Sequence, residues 1–275
     1  VETKLKLLTA FKLFSKETVS PPPATEKILF TLFLPLFLSC TTIDLQRKIN
    51  PPFKSYVKVY HTIKIIQCTE KYKNMCPVGE FSSMGSGMQI DLIPRQPIVI
   101  TAGHVCESEI DTEKIAISSQ DVSVVDFRGI QHQAYVIKTS QDNGMGGVDM
   151  CALWVPTLIR KGIKFSRFPP KAGQEIYYVG SPSGIYHPPV APVLTGIYSG
   201  QIDASNSLTS IPAVGGSSGS AVMDMNNRMV GVLWAAHNFS NISIVTNWHA
   251  SALFLDEVVK MYGGKTKVNP LPLKN

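Results

Sequence analysis

Three short segments of this chain carry side chains suited to acyl chemistry. Ile100-Thr101-Ala102-Gly103-His104-Val105-Cys106 runs from a β-branched stretch through small residues to a histidine. Gly147-Val148-Asp149-Met150-Cys151-Ala152-Leu153 opens an apolar stretch with an aspartate. Gly215-Gly216-Ser217-Ser218-Gly219-Ser220-Ala221-Val222 sets serines in a glycine-lined turn. A serine hydroxyl is a weak nucleophile at neutral pH and needs a neighbouring base, and imidazole titrates in the right range. The imidazole in turn needs a carboxylate to fix its tautomer and stabilise its charged form. Glycines let a backbone turn sharply enough for amide N–H groups to converge on one point, where they would stabilise an oxyanion. Asp126 and Asp142 are rival carboxylates, but neither opens an apolar strand. His61, His132, His187, His237 and His249 lack a comparable setting and read as surface or structural residues.

The elements that must position these side chains read as strands. From Phe53 onward, short β-rich runs are separated by turn residues, at 56–60, 63–66, 87–90, 98–101, 115–117, 122–125, 134–137 and 150–155. A second set follows at 175–179, 193–198, 221–223, 229–234 and 242–245, beyond a polar, proline-bearing stretch from Arg160 to Gly173. Only 250–262 reads as a helix, with Leu253, Leu255, Val258, Val259 and Tyr262 on an imperfect apolar face. Many short strands and one terminal helix predict an all-β fold, two barrels side by side. The expected organisation is an N-terminal region over 1–52, a first barrel over 53–159 with His104 and Asp149, a second barrel with Ser218 and the helix over 160–262, and a tail over 263–275. The 275 residues, with 44% hydrophobic and 17% charged, exclude a disordered charged tail protein and supply enough apolar material for a core. No fixed-period repeat is visible.

Thr101-Ala102-Gly103-His104, Asp149 before its apolar strand and Gly216-Ser217-Ser218-Gly219-Ser220 resemble the chymotrypsin-fold (trypsin-like) serine peptidases, whose chain order His, Asp, Ser is the order here. Met84-Gly85-Ser86-Gly87-Met88, Val179-Gly180-Ser181-Pro182-Ser183-Gly184 and Leu194-Thr195-Gly196-Ile197 resemble further family segments. The pattern is similar to bacterial exported, glutamyl-endopeptidase-like and viral members, over roughly Phe53 to Tyr262. The resemblance implies two six-stranded antiparallel barrels with a C-terminal helix, and hydrolysis of peptide bonds through an acyl-enzyme. It implies Ser218 as nucleophile, His104 as base, Asp149 as orienting carboxylate, and the Gly216 and Ser218 amides as oxyanion hole. Ser217 replaces the usual Asp or Asn, Ala221 replaces the usual Pro, and no Ile/Val-Val-Gly-Gly activation sequence is present. By family register Pro212 lies at the floor of the substrate pocket, with Leu233, Trp234 and Ala235 as one wall. No acid stands at the floor, Leu233 replaces the histidine of glutamyl endopeptidases, and Ala235 and Ala236 replace glycines. Small or medium uncharged residues are therefore expected before the scissile bond.

Lys4, Lys6, Lys12, Lys16 and Lys27 precede the apolar run Ile28 to Leu38, which ends at Ser39-Cys40 and carries Pro35. Such a run is too short to span a ~30 Å hydrocarbon core as a helix and fits an export signal or membrane anchor, with a buried helix as the plain alternative. Cys40 fits loosely as a lipidated N-terminus after cleavage. Of the net charge of +6, residues 1–50 contribute half; the rest is spread thinly, so no nucleic-acid partner is indicated. His104 and Asp149 must meet in space if they act together, and Cys106 and Cys151 each lie two residues beyond one of them. A Cys106–Cys151 bridge with Cys68–Cys76 is thus one pairing of three, and buried free thiols compete with all of them. No His/Cys/Asp cluster has metal-ligand spacing, and no cofactor is implied. The expected partner is a protein or peptide substrate, with a membrane tether through residues 28–40. The expected location is exported, with a viral polyprotein protease inside a host cell and a catalytically silent binding module as alternatives. Oligomeric state is not legible.

Overall fold

The computed structural model describes residues 49–263, apart from 109–110, 112, 142–146, 159 and 237–240. The apolar run 28–38, Cys40, Asp142, His237 and the tail from 264 lie outside the described residues.

The first barrel contains β1 (Tyr56–Cys68), β2 (Gly79–Ile90), β3 (Ile98–Thr101), β4 (Ile115–Asp126), β5 (Gln131–Gln141) and β6 (Asp149–Trp154), with one helical turn, α1 (Gly103–Cys106), after β3. Its strand order is β1-β2-β3-β6-β5-β4, closed by antiparallel pairing of β4 with β1. Closure leaves no hydrogen-bonding edge open, which is how a small all-β unit satisfies its backbone. Alternate residues fill the interior, among them Val57, Val59, Val99, Val122, Val124 and Leu153.

The second barrel follows β7 (Lys164–Phe165) and contains β8 (Glu175–Val179), β9 (Val193–Gln201), β10 (Asn206–Thr209), β11 (Ala221–Asp224), β12 (Arg228–Ala236) and β13 (Ser243–Thr246). The order β11-β8-β9-β10-β13-β12 closes through β11–β12 pairing. The two-residue β7 lies outside this ring and pairs parallel to the start of β12. Ile176, Tyr178, Ile211, Val222, Leu233 and Val245 form its interior. A third apolar cluster joins residues of both barrels, Tyr56, Met88, Ile100 and Met150 with Tyr177, Val179, Ala221 and Val232, and extends to Phe254, Leu255 and Val258 of the terminal helix.

That helix, α2 (Trp248–Gly263), begins two residues earlier than the apolar pattern suggests, because Asn247 caps it by accepting the Ala250 N–H at 2.9 Å. Its buried stripe is Ser251, Phe254, Leu255, Val258 and Tyr262; Leu253, expected on the apolar face, is 68% exposed. Helical spacing from Phe254 to Val258 and Tyr262 places those residues on one face and turns Leu253 away. The helix also reaches the first barrel, where Glu257 pairs with Lys138 at 2.7 Å and Tyr262 packs against Trp154.

Candidate active site

His104 stands in the single turn α1, delivered by the fully buried β3 and by small residues that let the chain turn inward. A Cβ on Gly103 would lie under 3.0 Å from Asp149 Oδ1, so this close approach requires glycine. Asp149 begins β6, is almost fully buried, and holds His104 twice: Oδ1 accepts the His104 backbone N–H at 3.0 Å, and Oδ2 lies 2.6 Å from Nδ1. This fixes both the backbone and the ring; a carboxylate can only accept, so Nδ1 carries the proton and donates it in the hydrogen bond, which leaves Nε2 as the basic nitrogen. The Cys106–Cys151 disulfide lies directly behind, with Cα atoms 6.4 Å apart, and ties α1 to β6; Cys68 and Cys76 form the second bridge.

The rival Asp126 has a different occupation. Its carboxylate accepts the backbone N–H groups of Arg128 and Ile130 at 2.9 and 3.0 Å and the Arg128 guanidinium at 3.1 Å, and Arg160 lies 3.6 Å away. Burial alone would raise its pKa, but the amides of Ile130 and Arg128 and the Arg128 charge outweigh it and hold the carboxyl below its ordinary value. His132 belongs to this structural cluster, 3.5 Å from Asp126 Oδ2. His61 is buried and bonded to Gln120 at 2.7 Å; burial lowers its pKa, which the Gln120 bond only partly offsets. His187 and His249 are exposed.

Among the three candidate serines, accessibility discriminates. Ser217 is fully buried and bonded to Tyr178 at 3.0 Å, Ser220 is fully buried, and Ser218 keeps partial exposure. The Ser218 hydroxyl lies 3.5 Å from the Trp234 carbonyl, a long contact, and is not hydrogen-bonded to His104 in this conformation. The serine loop is nonetheless fastened to the histidine side of the molecule. Ser86 on β2 donates its N–H to Ser218 O at 2.8 Å and its hydroxyl to Gly216 O at 2.8 Å, and it accepts the Ser181 N–H at 2.9 Å. Thr101, three residues before His104, donates to Ser86 O at 2.7 Å.

This pinning orients the amides of the loop. Gly215 O accepts the Ser183 N–H at 2.7 Å and Ser217 O accepts the Ser220 N–H at 3.1 Å. In a trans peptide the N–H points opposite to the carbonyl, so the Gly216 and Ser218 N–H groups are turned away from these partners. Neither has a protein acceptor among the described residues. Gly216 reaches this geometry at φ +88°, in the left-handed region.

Of the expected substrate-pocket residues, Pro212 is half-buried and its carbonyl accepts the Tyr178 hydroxyl at 2.9 Å. Trp234 and Ala235 are also half-buried. Leu233 has its side chain in the second-barrel core and meets the serine loop through its backbone, accepting the Gly219 N–H at 2.7 Å and donating to Ser220 O at 3.0 Å. Two positioning groups carry no motif of their own. Asn206, buried on β10, accepts the Trp234 indole N–H at 3.0 Å and donates to Asp203 and, at 3.5 Å, to the carbonyl of Gly147, two residues before Asp149. Ser86 was legible only as part of Gly85-Ser86-Gly87, where glycine neighbours signal a close approach of backbones.

Comparisons with known proteins address the family and the fold. The trypsin-like peptidase domain family matches residues 85–232, more than half of the chain. Among solved structures, the active form of the Rv3671c protease from M. tuberculosis aligns with TM-score 0.56 at 19% identity, covering 81% of this chain and 88% of that one. Its inactive form aligns with TM-score 0.51 at 20% identity over 75% and 89% of the two chains. The serine endoprotease from Yersinia pestis aligns with TM-score 0.54 at 14% identity, covering 75% of this chain and 63% of that one. At these identities the structures support the fold alone, and no curated protein sequence matches. On the strength of the domain match, with the two closed barrels behind it, the chain belongs to the trypsin-like peptidase family and is a serine endopeptidase.

Proposed function

We propose that Ser218, His104 and Asp149 form the catalytic triad of this peptidase and that the Gly216 and Ser218 N–H groups form its oxyanion hole. The observation that carries the reading is the double attachment of His104 to buried Asp149; it is joined by the partial exposure of Ser218, against buried Ser217 and Ser220, and by two loop amides with no protein acceptor among the described residues. In the working rotamer Ser218 Oγ leaves the Trp234 carbonyl by rotation about χ1, a step between staggered wells, and donates to His104 Nε2. Oγ then attacks the substrate carbonyl carbon as Nε2 takes its proton, and the new oxyanion lies on the two amides. On collapse the C–N bond breaks, the leaving amine takes the proton from Nε2, and an acyl-enzyme remains on Ser218. Water, deprotonated by the same imidazole, attacks the ester and releases the acid, restoring the serine. Asp149 stabilises the imidazolium in both halves.

The pocket formed by Pro212, Trp234 and Ala235, with the Leu233 backbone behind it, offers no carboxylate at Pro212 and no histidine at Leu233. This favours small or medium uncharged residues before the scissile bond. The two disulfides favour an oxidising, exported setting for the enzyme, and the apolar run 28–38 favours delivery to, or tethering at, a membrane. A fluorophosphonate tests the triad: the wild type labels on Ser218, whereas Ser218→Ala does not label and His104→Ala labels at least about a thousandfold more slowly. Labelling that survives in Ser218→Ala would refute the assignment of the nucleophile. A peptide-library digest tests the pocket, and efficient cleavage after Glu, Lys or Arg would refute its reading.

A further inference from the structure

The sequence spreads its positive charge thinly, but the fold gathers part of it. Asn50–Ser55, the stretch Arg160–Lys164 and the turn Asn226–Arg228 line a cleft of about 930 Å³ that contains Lys54, Arg160, Lys161, Lys164 and Arg228 and no carboxylate. Three contacts hold its walls together: Asn227 donates to Asn50 O at 2.9 Å, Ser55 donates to Lys161 O at 2.9 Å, and β7 pairs with β12. That pairing puts Lys164 directly beside Arg228 in register, both exposed. Like charges opposed across two strands repel and destabilise the pair. No carboxylate lies within 4.0 Å of Lys54, Lys161, Lys164 or Arg228 among the described residues, while Arg160 is drawn to Asp126. Two acids bordering these segments, Asp91 and Asp224, are turned to the backbone amides of Gly162, Asn226 and Arg228. The repulsion is therefore left for an external anion to relieve.

Two features select the kind of anion. The same segment continues through Arg167, Phe168 and Lys171, all exposed, and Phe168 is 75% exposed, an aromatic residue interspersed with basic ones as in segments that meet a lipid headgroup layer. The apolar run ending at Leu38 stands eleven residues before Ile49, a tether of at most about 40 Å fully extended. The active-site wall is also kept clear, because Trp234 lies six residues along β12 from Arg228, about 20 Å away. We propose that the cleft of Lys54, Lys161, Lys164 and Arg228, with exposed Phe168 four residues beyond Lys164, docks the folded body on an anionic phospholipid surface.

The test uses the full chain and vesicles of phosphatidylcholine with or without phosphatidylglycerol, measured by co-sedimentation. Residues 1–48 contribute equally to every variant, so the readout is the change in the gain conferred by phosphatidylglycerol. Each basic residue at such a surface contributes about a fivefold gain in partitioning. Lys161→Ala/Lys164→Ala/Arg228→Ala is expected to lose about a hundredfold of that gain. Lys64→Ala/Lys71→Ala/Lys73→Ala, with the same charge change on exposed first-barrel positions, is expected to keep it. Should the first triple variant melt early, the single exposed change Lys161→Gln carries the test with an expected loss of about fivefold. Equal losses in the two triple variants, no loss in the first, or preference of the cleft for single-stranded nucleic acid over vesicles at equal phosphate would each overturn the proposal.

Discussion

Replacing Gly219 by alanine probes the seam on which the site depends. Gly219 has φ +86°, and a Cβ there would lie under 3.0 Å from Thr101 Oγ1, Ser86 O and Ala102 N. Two costs add. Holding alanine in the left-handed region costs about 1–2 kcal/mol, and forcing a methyl into packed backbone costs about 1–3 kcal/mol. The sum, about 2–5 kcal/mol, lowers the melting temperature of a body this size by about 10 °C at mid-range. The strain falls where Ser218 O meets Ser86 N–H and Gly219 N–H meets Leu233 O. A displacement of about 1 Å there would slow fluorophosphonate labelling about a hundredfold. Gly215→Ala is the matched control: its Cβ would meet nothing within 4 Å and its φ is not positive, so stability should stay within about 0.5 kcal/mol. Thermal melts and labelling rates of both variants decide the matter. If Gly219→Ala melted and labelled like the Gly215 variant, the claim that this contact sets the serine against the histidine strand would be wrong.

Other contacts carry expectations of their own. Cys106→Ala/Cys151→Ala opens a loop of sequence separation 45 and should destabilise the fold by about 4 kcal/mol, measured by denaturant unfolding against the oxidised wild type. Asp126 has a depressed folded pKa, so its stabilisation is complete above the unfolded value of 3.8 and is lost as pH falls through the lower folded value. Asp126→Asn should therefore destabilise by about 3 kcal/mol at neutral pH, with the gap to wild type closing in melts taken below pH 3.8. His61, also depressed, adds a loss that begins as pH falls below 6.5. Asn206→Ala leaves the Trp234 indole and Gly147 carbonyl without their partner; steady-state kinetics should show about a tenfold fall in kcat/KM, carried mainly by KM.

What was legible depended on whether apolar alternation or side-chain chemistry carried the signal. β10 shows no apolar alternation because Asn206, Ser207 and Thr209 are buried polar residues, satisfied by Trp234, Tyr198 and Ser243. β1 read as two runs because His61-Thr62 interrupts the pattern, yet Gln120 on β4 lets a buried histidine occupy the strand interior. β4 likewise read as two runs, since Ser118 to Asp121 is polar while its backbone remains paired to β1. The candidate site gives a clearer signal in the sequence, because its residues are constrained by chemistry: the aspartate, the histidine and the glycines flanking the serine each have few substitutes. Phasing selects Ser218 from three serines, and the burial of Ser217 and Ser220 favours the same choice. The pins were harder to read. Ser86 and Thr101 are ordinary residue types whose effect arises only when barrel closure brings β2 and β3 against the serine loop. Charge obeys the same rule, for Lys54, Lys161, Lys164 and Arg228 are scattered along the chain and become one surface through the pairing of β7 with β12 and the bonds of Asn227 to Asn50 and Ser55 to Lys161.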